Sequence, residues 1–255
     1  MVGDTVLVPC PFTPLLLALC SFIAILAGFV KGFAGFGFAI VFTPLTLLCF
    51  PDPRQVVFIA LVLGALMSLG VILEARAYVN RAVVIPTVAG TALGTPLGVF
   101  LLLVIDKPML KGTISALAVF VTLLRLCRYE VSLCRGSQPL AVGAFLGGVL
   151  NGSTSMGGPV PAMVVAWQHR SVNECRAILV IFNLLSYLLA IGMAAATGIA
   201  RMHWLVFCLW LFLPALIGTT IGMHAVRRIS PGTFMHAVTA VVGFAGIMGL
   251  IAVLK

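Results

Sequence analysis

Acidic side chains are scarce in this chain. Six Asp and Glu stand against fifteen Lys and Arg in 255 residues, and charged residues together make up 8% of the sequence. A soluble domain carries roughly 25%. The longest polar stretch, near Arg128 to Gln138, is too short to hold a soluble catalytic or nucleic-acid-binding domain. An enzyme buried in a membrane would need paired carboxylates, a His/Asp cluster or a Cys/His pair at depth, and the sequence places none there. It also has no P-loop and no ATPase domain, so it carries no ATP-driven engine. The four histidines, His169, His203, His224 and His236, lack metal-ligand spacing, and no cofactor is expected. Seven cysteines (10, 20, 49, 127, 134, 175 and 208) form no CxxC pair and read as small hydrophobes.

Apolar residues dominate instead. They account for 62% of the chain, and the mean hydropathy is +1.24. A water-soluble core cannot use that excess, so the chain reads as an all-α polytopic membrane protein. The net charge of +9 sits almost entirely in short loops, as retention of Lys and Arg on the cytoplasmic side produces, so no nucleic-acid partner follows from it. Met1 to Pro11 contains Asp4 and no Lys or Arg. Without a basic n-region there, the first apolar segment is expected to stay in the protein.

The apolar runs fall into two series of five. The first is Phe12–Val30, Phe38–Phe50, Val56–Leu73, Ala82–Ile105 and Met109–Leu126; the second is Pro139–Leu150, Val160–Trp167, Val172–Thr197, Met202–Val226 and Gly232–Leu254. Their interruptions match. Lys31-Gly32-Phe33-Ala34-Gly35-Phe36-Gly37 corresponds to Asn151-Gly152-Ser153-Thr154-Ser155-Met156-Gly157, with Gly158 and Pro159 following, and Gly28 corresponds to Gly148. Gly94-Thr95-Pro96-Leu97-Gly98 returns as Gly218-Thr219-Thr220-Ile221-Gly222, and the loop Asp106-Lys107-Pro108 as Ile229-Ser230-Pro231. The order and nearly constant offset predict a duplication, residues 1–130 and 131–255, within one integral membrane unit.

Pro139–Leu150 and Val160–Trp167 fall well short of the roughly 20 residues that a span needs. They are either halves of one broken span or the arms of a re-entrant hairpin. With a hairpin and three spans per half, Arg76, Arg81, Arg125, Arg128, Arg135, Arg170, Arg176, Arg227 and Arg228 share one side. Arg54, Lys107, Lys111, Arg201 and Lys255 share the other, nine against five with Lys31 left out. Four full spans per half would divide the same residues seven against seven. The biased split favours an odd number of crossings per half, hence inverted repeats, with both termini outside the cytoplasm.

The small-residue patch Gly28 to Gly37, Pro44-Leu45, the turn Asp52-Pro53-Arg54-Gln55, and their echoes in Gly148 to Gly158 and Asn173-Glu174-Cys175-Arg176 resemble the TauE/SafE family of sulfite and organosulfonate exporters. The resemblance spans nearly the whole chain. It implies transport of small sulfur-containing anions across the bacterial inner membrane. The family's patch is richer in consecutive glycines. Here Phe33, Phe36 and Phe38 are interleaved, which suits an anion with an organic portion.

Backbone broken at bilayer depth survives only where protein or a water-filled cavity satisfies it, so two matched breaks predict one central site. Expected amide donors are Phe36 to Ala39 in one half and Met156 to Val160 in the other, at helix N-termini that attract anions. Asn151, Ser153, Thr154 and Ser155 would add side-chain donors. The candidate substrate-binding residues are therefore Lys31, Gly32, Gly35, Phe36, Gly37, Asn151, Ser153, Thr154, Ser155, Met156, Gly157 and Asn183. Lys31 lacks an acidic neighbour in sequence, and a charge at mid-bilayer costs roughly 2.5–3.5 kcal/mol. A bound anion would offset that, whereas snorkelling to an interface or contact with backbone carbonyls is the plainer reading. Asn183, Ser186 and Tyr187 share one helix face and either line the path or bond neighbouring helices. Ser68 is a weaker counterpart, and Glu74, Arg76, Arg54, Glu174 and Arg176 at run ends read as interfacial charge. The partners implied are a small anion and the lipid bilayer, with a homodimer left open. Another small organic or inorganic anion, or a non-transporting assembly subunit, remains the alternative.

Overall fold

The computed structural model describes residues 13–75, 81–126, 136–168, 172–198, 200, 202–225 and 231–254. Many residues behind the charge count lie outside them: Arg76, Arg128, Arg135, Arg170, Arg201, Arg227, Arg228 and Lys255. So do Cys10, Cys127, Cys134, His169 and the side chains of Glu74, Arg125, Asn173 and His236.

The described residues form ten helices and no strand: α1 Pro14–Ala34, α2 Phe38–Leu47, α3 Pro53–Ala75, α4 Arg81–Val104, α5 Lys107–Leu126, α6 Ser137–Thr154, α7 Pro159–Trp167, α8 Val172–Ala196, α9 Met202–Ala225 and α10 Pro231–Leu254. Each helix answers one apolar run. Six of them, α1, α3, α4, α5, α8 and α9, are long and apolar enough to cross a membrane. Leu93 and Phe100 on α4, and Leu209, Trp210 and Leu213 on α9, are exposed. In water such a rim would be an aggregation surface; in a bilayer it is the face offered to acyl chains. By contrast, every residue from Val56 to Leu61 of α3 is buried, so all sides of that helix are covered by protein.

Two details differ from the sequence reading. The breaks are narrower, because α1 continues through Lys31 and Gly32 to Ala34, and α6 through Asn151 to Thr154. A lone glycine inside an apolar helix costs only about 1 kcal/mol, and packing offsets it at Gly32 and Gly152. Also, α6 with 18 residues is not a short half-span, whereas α7 with 9 is.

Glycine sets which helices touch. A Cβ at Gly28 or Gly32 of α1 would overlap the α9 backbone at Ala215 and Thr219, and one at Gly218 or Gly222 of α9 would overlap Ile25 and Phe29 of α1. Likewise Gly90, Gly94 and Gly98 of α4 lie on the α6 backbone at Ala141, Phe145 and Val149, while Gly148 and Gly152 of α6 lie on α4 at Thr95 and Val99. In both pairs the numbers rise together, so the helices run parallel. Each pair joins the first helix of one series of five runs to the fourth helix of the other series. Gly243, Gly246 and Gly249 of α10 meet Thr122, Ala118 and Ser115 of α5 in falling order, so these helices run antiparallel. Gly143 opposes Val164 and Gly147 opposes Pro161, so α7 folds back along α6 as a hairpin.

Lipid tails give helices no hydrophobic reason to associate, so such backbone contact carries the packing. Gly94→Val should therefore force α4 off α6 and lower the thermal unfolding midpoint, at a cost of about 1–3 kcal/mol. Gly192→Ala on α8, where a Cβ would have nothing within 4 Å, should leave the midpoint unchanged or slightly higher. Equal midpoints for both variants, measured in one detergent, would refute this account.

Candidate functional site

The first break is built by two left-handed glycines. Gly35 has φ +80 and ends α1, its N–H donating to the Lys31 carbonyl at 2.7 Å; Gly37 has φ +96 and precedes α2. An L side chain is strained at either position. The N-cap Gly37 supplies no side-chain hydrogen bond, so the first amides of α2, Phe38 to Ile40, are left pointing out of the helix end.

The second break reaches the same bend with a serine. Ser155 has φ 62, the one positive φ at a non-glycine among the described residues. Its hydroxyl is within 2.7 Å of the Thr43 hydroxyl on α2 and donates to the Thr154 carbonyl. This loop caps itself: Gly157 N–H donates to Asn151 Oδ1 at 3.3 Å, and Met156 N–H to Thr154 Oγ1 at 3.3 Å. Pro159 and Pro161 have no N–H, so Val160 is the lone amide donor in the first three positions of α7. The two helix starts, which the sequence reading treats as equivalent donors, are unequal for that reason.

The breaks adjoin. The Phe36 ring and the Asn183 side-chain oxygen both border Gly158, where a Cβ would stand 3.5 Å from Phe36 Cδ2 and 3.8 Å from Asn183 Oδ1. Asn183 is buried on α8, and its amide donates to the Leu179 carbonyl at 2.7 Å. Arg176, nearer the start of the same helix, lays its aliphatic chain against Gly35. The sequence reading takes it for interfacial charge; the structure puts it on the tip of the first hairpin.

Lys31 is 1% exposed. Its ammonium donates to the Gly64 carbonyl at 3.2 Å and to Ser68 Oγ at 2.7 Å, with Nζ 5.4 Å from the centre of the Tyr187 ring. Gly64 makes the cluster possible, because a Cβ there would collide with that ring. All three contacts are neutral. The plainer expectation, contact with a backbone carbonyl, describes part of this environment, and snorkelling does not.

Other sequence candidates take different positions. Asn151 donates to Ser186 Oγ at 2.8 Å, and Ser186 lies 2.9 Å from Thr95 Oγ1, so this part of the α8 stripe ties α6 and α4 together. Ser153 and Thr154 donate to the Val149 and Leu150 carbonyls of their own helix. Gly32 faces α9, Gly157 presses on Gly147 and Asn151, and Met156 is fully buried. Thr43 and Thr95 are absent from the sequence candidates. Thr95 had a signal in the repeated Gly-Thr motif, whereas Thr43 sits in an unbroken apolar run. His224 is exposed and bonded to the Thr220 carbonyl. Among the described residues no three His, Cys, Asp or Glu side chains group as metal ligands.

Asn151→Ala would strip partners from the Gly157 amide and Ser186. The expected cost is about 1–3 kcal/mol, read as a lower unfolding midpoint. An unchanged midpoint would show that the second loop does not depend on this side chain.

No curated protein and no solved structure matches the chain. One family model does match, the one described as Sulfite exporter TauE/SafE, and it covers residues 20–249, including both breaks and the helices between them. With the ten helices of the described residues and two adjoining interruptions on the page, the chain belongs to the TauE/SafE sulfite exporter family of membrane transporters.

Proposed function

We propose that this protein exports a small sulfur-containing anion, sulfite or an organosulfonate, across the bacterial inner membrane. The site is the place where the two breaks meet beside Asn183. That juxtaposition carries the reading: a polar, chain-broken zone enclosed by apolar helices, with Lys31 buried one turn before the first break. Helix amides and cations together bind an anion without a metal. Phe38 to Ile40 supply the amides, and Arg176 the nearer cation. Asn183 orients the oxygens, and Gly35, Phe36 and Gly37 shape the tip. Because Pro159 and Pro161 remove donors from α7, the anion sits against α2. Asn151, Ser153, Thr154, Ser155, Met156 and Gly157 hold the opposite wall in shape, and Gly32 keeps Lys31's helix tight on α9. The Phe36 ring favours a solute with an apolar portion.

The halves 1–130 and 131–255 are read as inverted repeats. Two observations support this beyond the charge bias. The pairs α1–α9 and α4–α6 are exchanged equivalents, and the equivalent helices α5 and α10 run antiparallel, as a two-fold axis in the membrane plane requires. The termini are then both periplasmic. An inside-negative potential favours export by about 2.3 kcal/mol per charge per 100 mV.

Flux in proteoliposomes with sulfite, sulfoacetate, taurine and sulfate tests the proposal. Efflux of at least one sulfur anion, faster when the loaded side is negative, is expected. Lys31→Ala and Arg176→Gln should each weaken apparent affinity about 10- to 100-fold, the worth of a charged hydrogen bond, while the protein still inserts. Wild-type flux in both variants would remove the cations from the site, and movement of another anion alone would replace the substrate class.

A further inference from the structure

α2 carries two threonines, Thr43 and Thr46, three residues apart and therefore on one side of the helix. Both are fully buried. Helical threonine hydroxyls elsewhere in this fold donate to the carbonyl one turn back, as those of Thr87, Thr91, Thr122 and Thr219 do. The two on α2 do not. Thr43 turns its hydroxyl outward to Ser155, at the tip of the second hairpin. The Thr46 hydroxyl has no hydrogen-bond partner among the described residues. A hydroxyl buried in that way bears its full desolvation cost, and in a native fold it calls for an explanation. Pro44, between the two, has no N–H to give the Ile40 carbonyl, so a second polar group of α2 lacks its usual intrahelical donor. Packing of a hairpin does not demand these hydroxyls. By the spacing that relates Gly37 to Gly157, Thr43 and Thr46 correspond to Met163 and Ala166 of α7. Past Thr46, α2 ends at Leu47, and Asp52 in the turn that follows pairs with Lys107, whose side chain is 55% exposed. The threonine side of α2 thus leads from the uncapped helix start toward the outer edge of the protein.

We propose that this side of α2 is the route by which the anion leaves the site, and that Thr46 is a second binding station on it. The proposal rests on the transport reading above. Sulfonate oxygens are acceptors, so the Thr46 hydroxyl donates to them as the solute arrives. One neutral donor holds an anion more weakly than the amides and cations at the break. A weak station after a strong one lets a solute leave, because conduction needs sites that bind without trapping. The Thr43–Ser155 contact lies between the two stations and parts for the solute to pass. On the topology proposed above, α2 returns toward the periplasm, which makes this the outward half of the path.

Two measurements on the full-length protein in liposomes test this. Thr46→Val should slow sulfur-anion efflux about 10-fold, the worth of one hydrogen bond, with an unfolding midpoint no lower than that of wild type. Thr46→Ser, which keeps the hydroxyl, should restore the efflux. Separately, Thr46→Cys is treated with 2-sulfonatoethyl methanethiosulfonate, a small sulfonate that marks thiols, and position 46 is read by mass spectrometry. Labelling slowed severalfold by excess ethanesulfonate is expected there, and none at Ala60→Cys on the fully covered α3. The proposal is overturned by wild-type efflux or a lowered midpoint in Thr46→Val, or by equal labelling at Ala60→Cys. It is also overturned if position 46 takes only the neutral methyl methanethiosulfonate, since the stripe then admits no anion. Should wild type carry no sulfur anion, the transport reading fails, while the labelling and its protection still decide whether anions reach Thr46.

Discussion

Backbone N–H and C=O groups that lack water must find partners within the protein, and the two helix breaks of this fold meet that demand in different ways. The first break uses glycine. Gly35 turns left-handed, returns its N–H to the Lys31 carbonyl and adds no side chain, so the start of α2 stays open. The second break uses polar side chains. Asn151 and Thr154 take the amides of Gly157 and Met156, and Thr43 braces Ser155 from the facing hairpin. The second loop ties two of its amides to its own side chains, whereas no side chain caps the start of α2. On the proposed reading an anion is drawn to the uncapped start of α2 rather than to the second loop, which makes the site polarised.

The same divergence shows at the position just before each repeated glycine. Lys31 precedes Gly32, and Asn151 precedes Gly152. Each reaches the third helix of a half, Lys31 to Gly64 and Ser68 on α3, Asn151 to Ser186 on α8. The amide is neutral, donating to Ser186 and accepting from Gly157, so it serves as a fastening. The ammonium carries a charge that a carbonyl, a hydroxyl and a ring face solvate without cancelling. Neutral partners lower the cost of burying an ion but leave its field uncompensated, and a nearby negative solute feels that field strongly where water is excluded.

Much of this was written in the sequence. Ten apolar runs became ten helices, since burial in lipid leaves the backbone no other economical form. Gly-x3-Gly series marked helix contacts because only a missing Cβ permits such approach. What the sequence hid was polar partnership. Lys31 announced itself as a buried charge, but nothing local named Gly64, Ser68 or Tyr187 as its contacts, for they come from helices distant in the chain. Ser153 and Thr154 looked like solute donors, yet a hydroxyl on a helix bonds the carbonyl one turn back when no better acceptor is near. Arg176 looked interfacial because its proximity to Gly35 depends on α8 crossing the first hairpin.

The packing also limits how the site opens. Glycines lock α1 to α9 and α4 to α6 along several turns, with backbone against backbone on both sides. Separating either pair would forfeit many dispersion contacts at once, and lipid tails return them poorly. Each pair is therefore held together as a unit. Other helix contacts are polar: Thr43 on α2 to Ser155, Thr95 on α4 to Ser186 on α8, and Lys31 on α1 to Ser68 and Gly64 on α3. A hydrogen bond of this kind contributes about 0.5–1.5 kcal/mol net, and one to a charged group about 1.5–3. On the transport reading proposed above, a solute that competes for Lys31 acts directly on the charged contacts in this set.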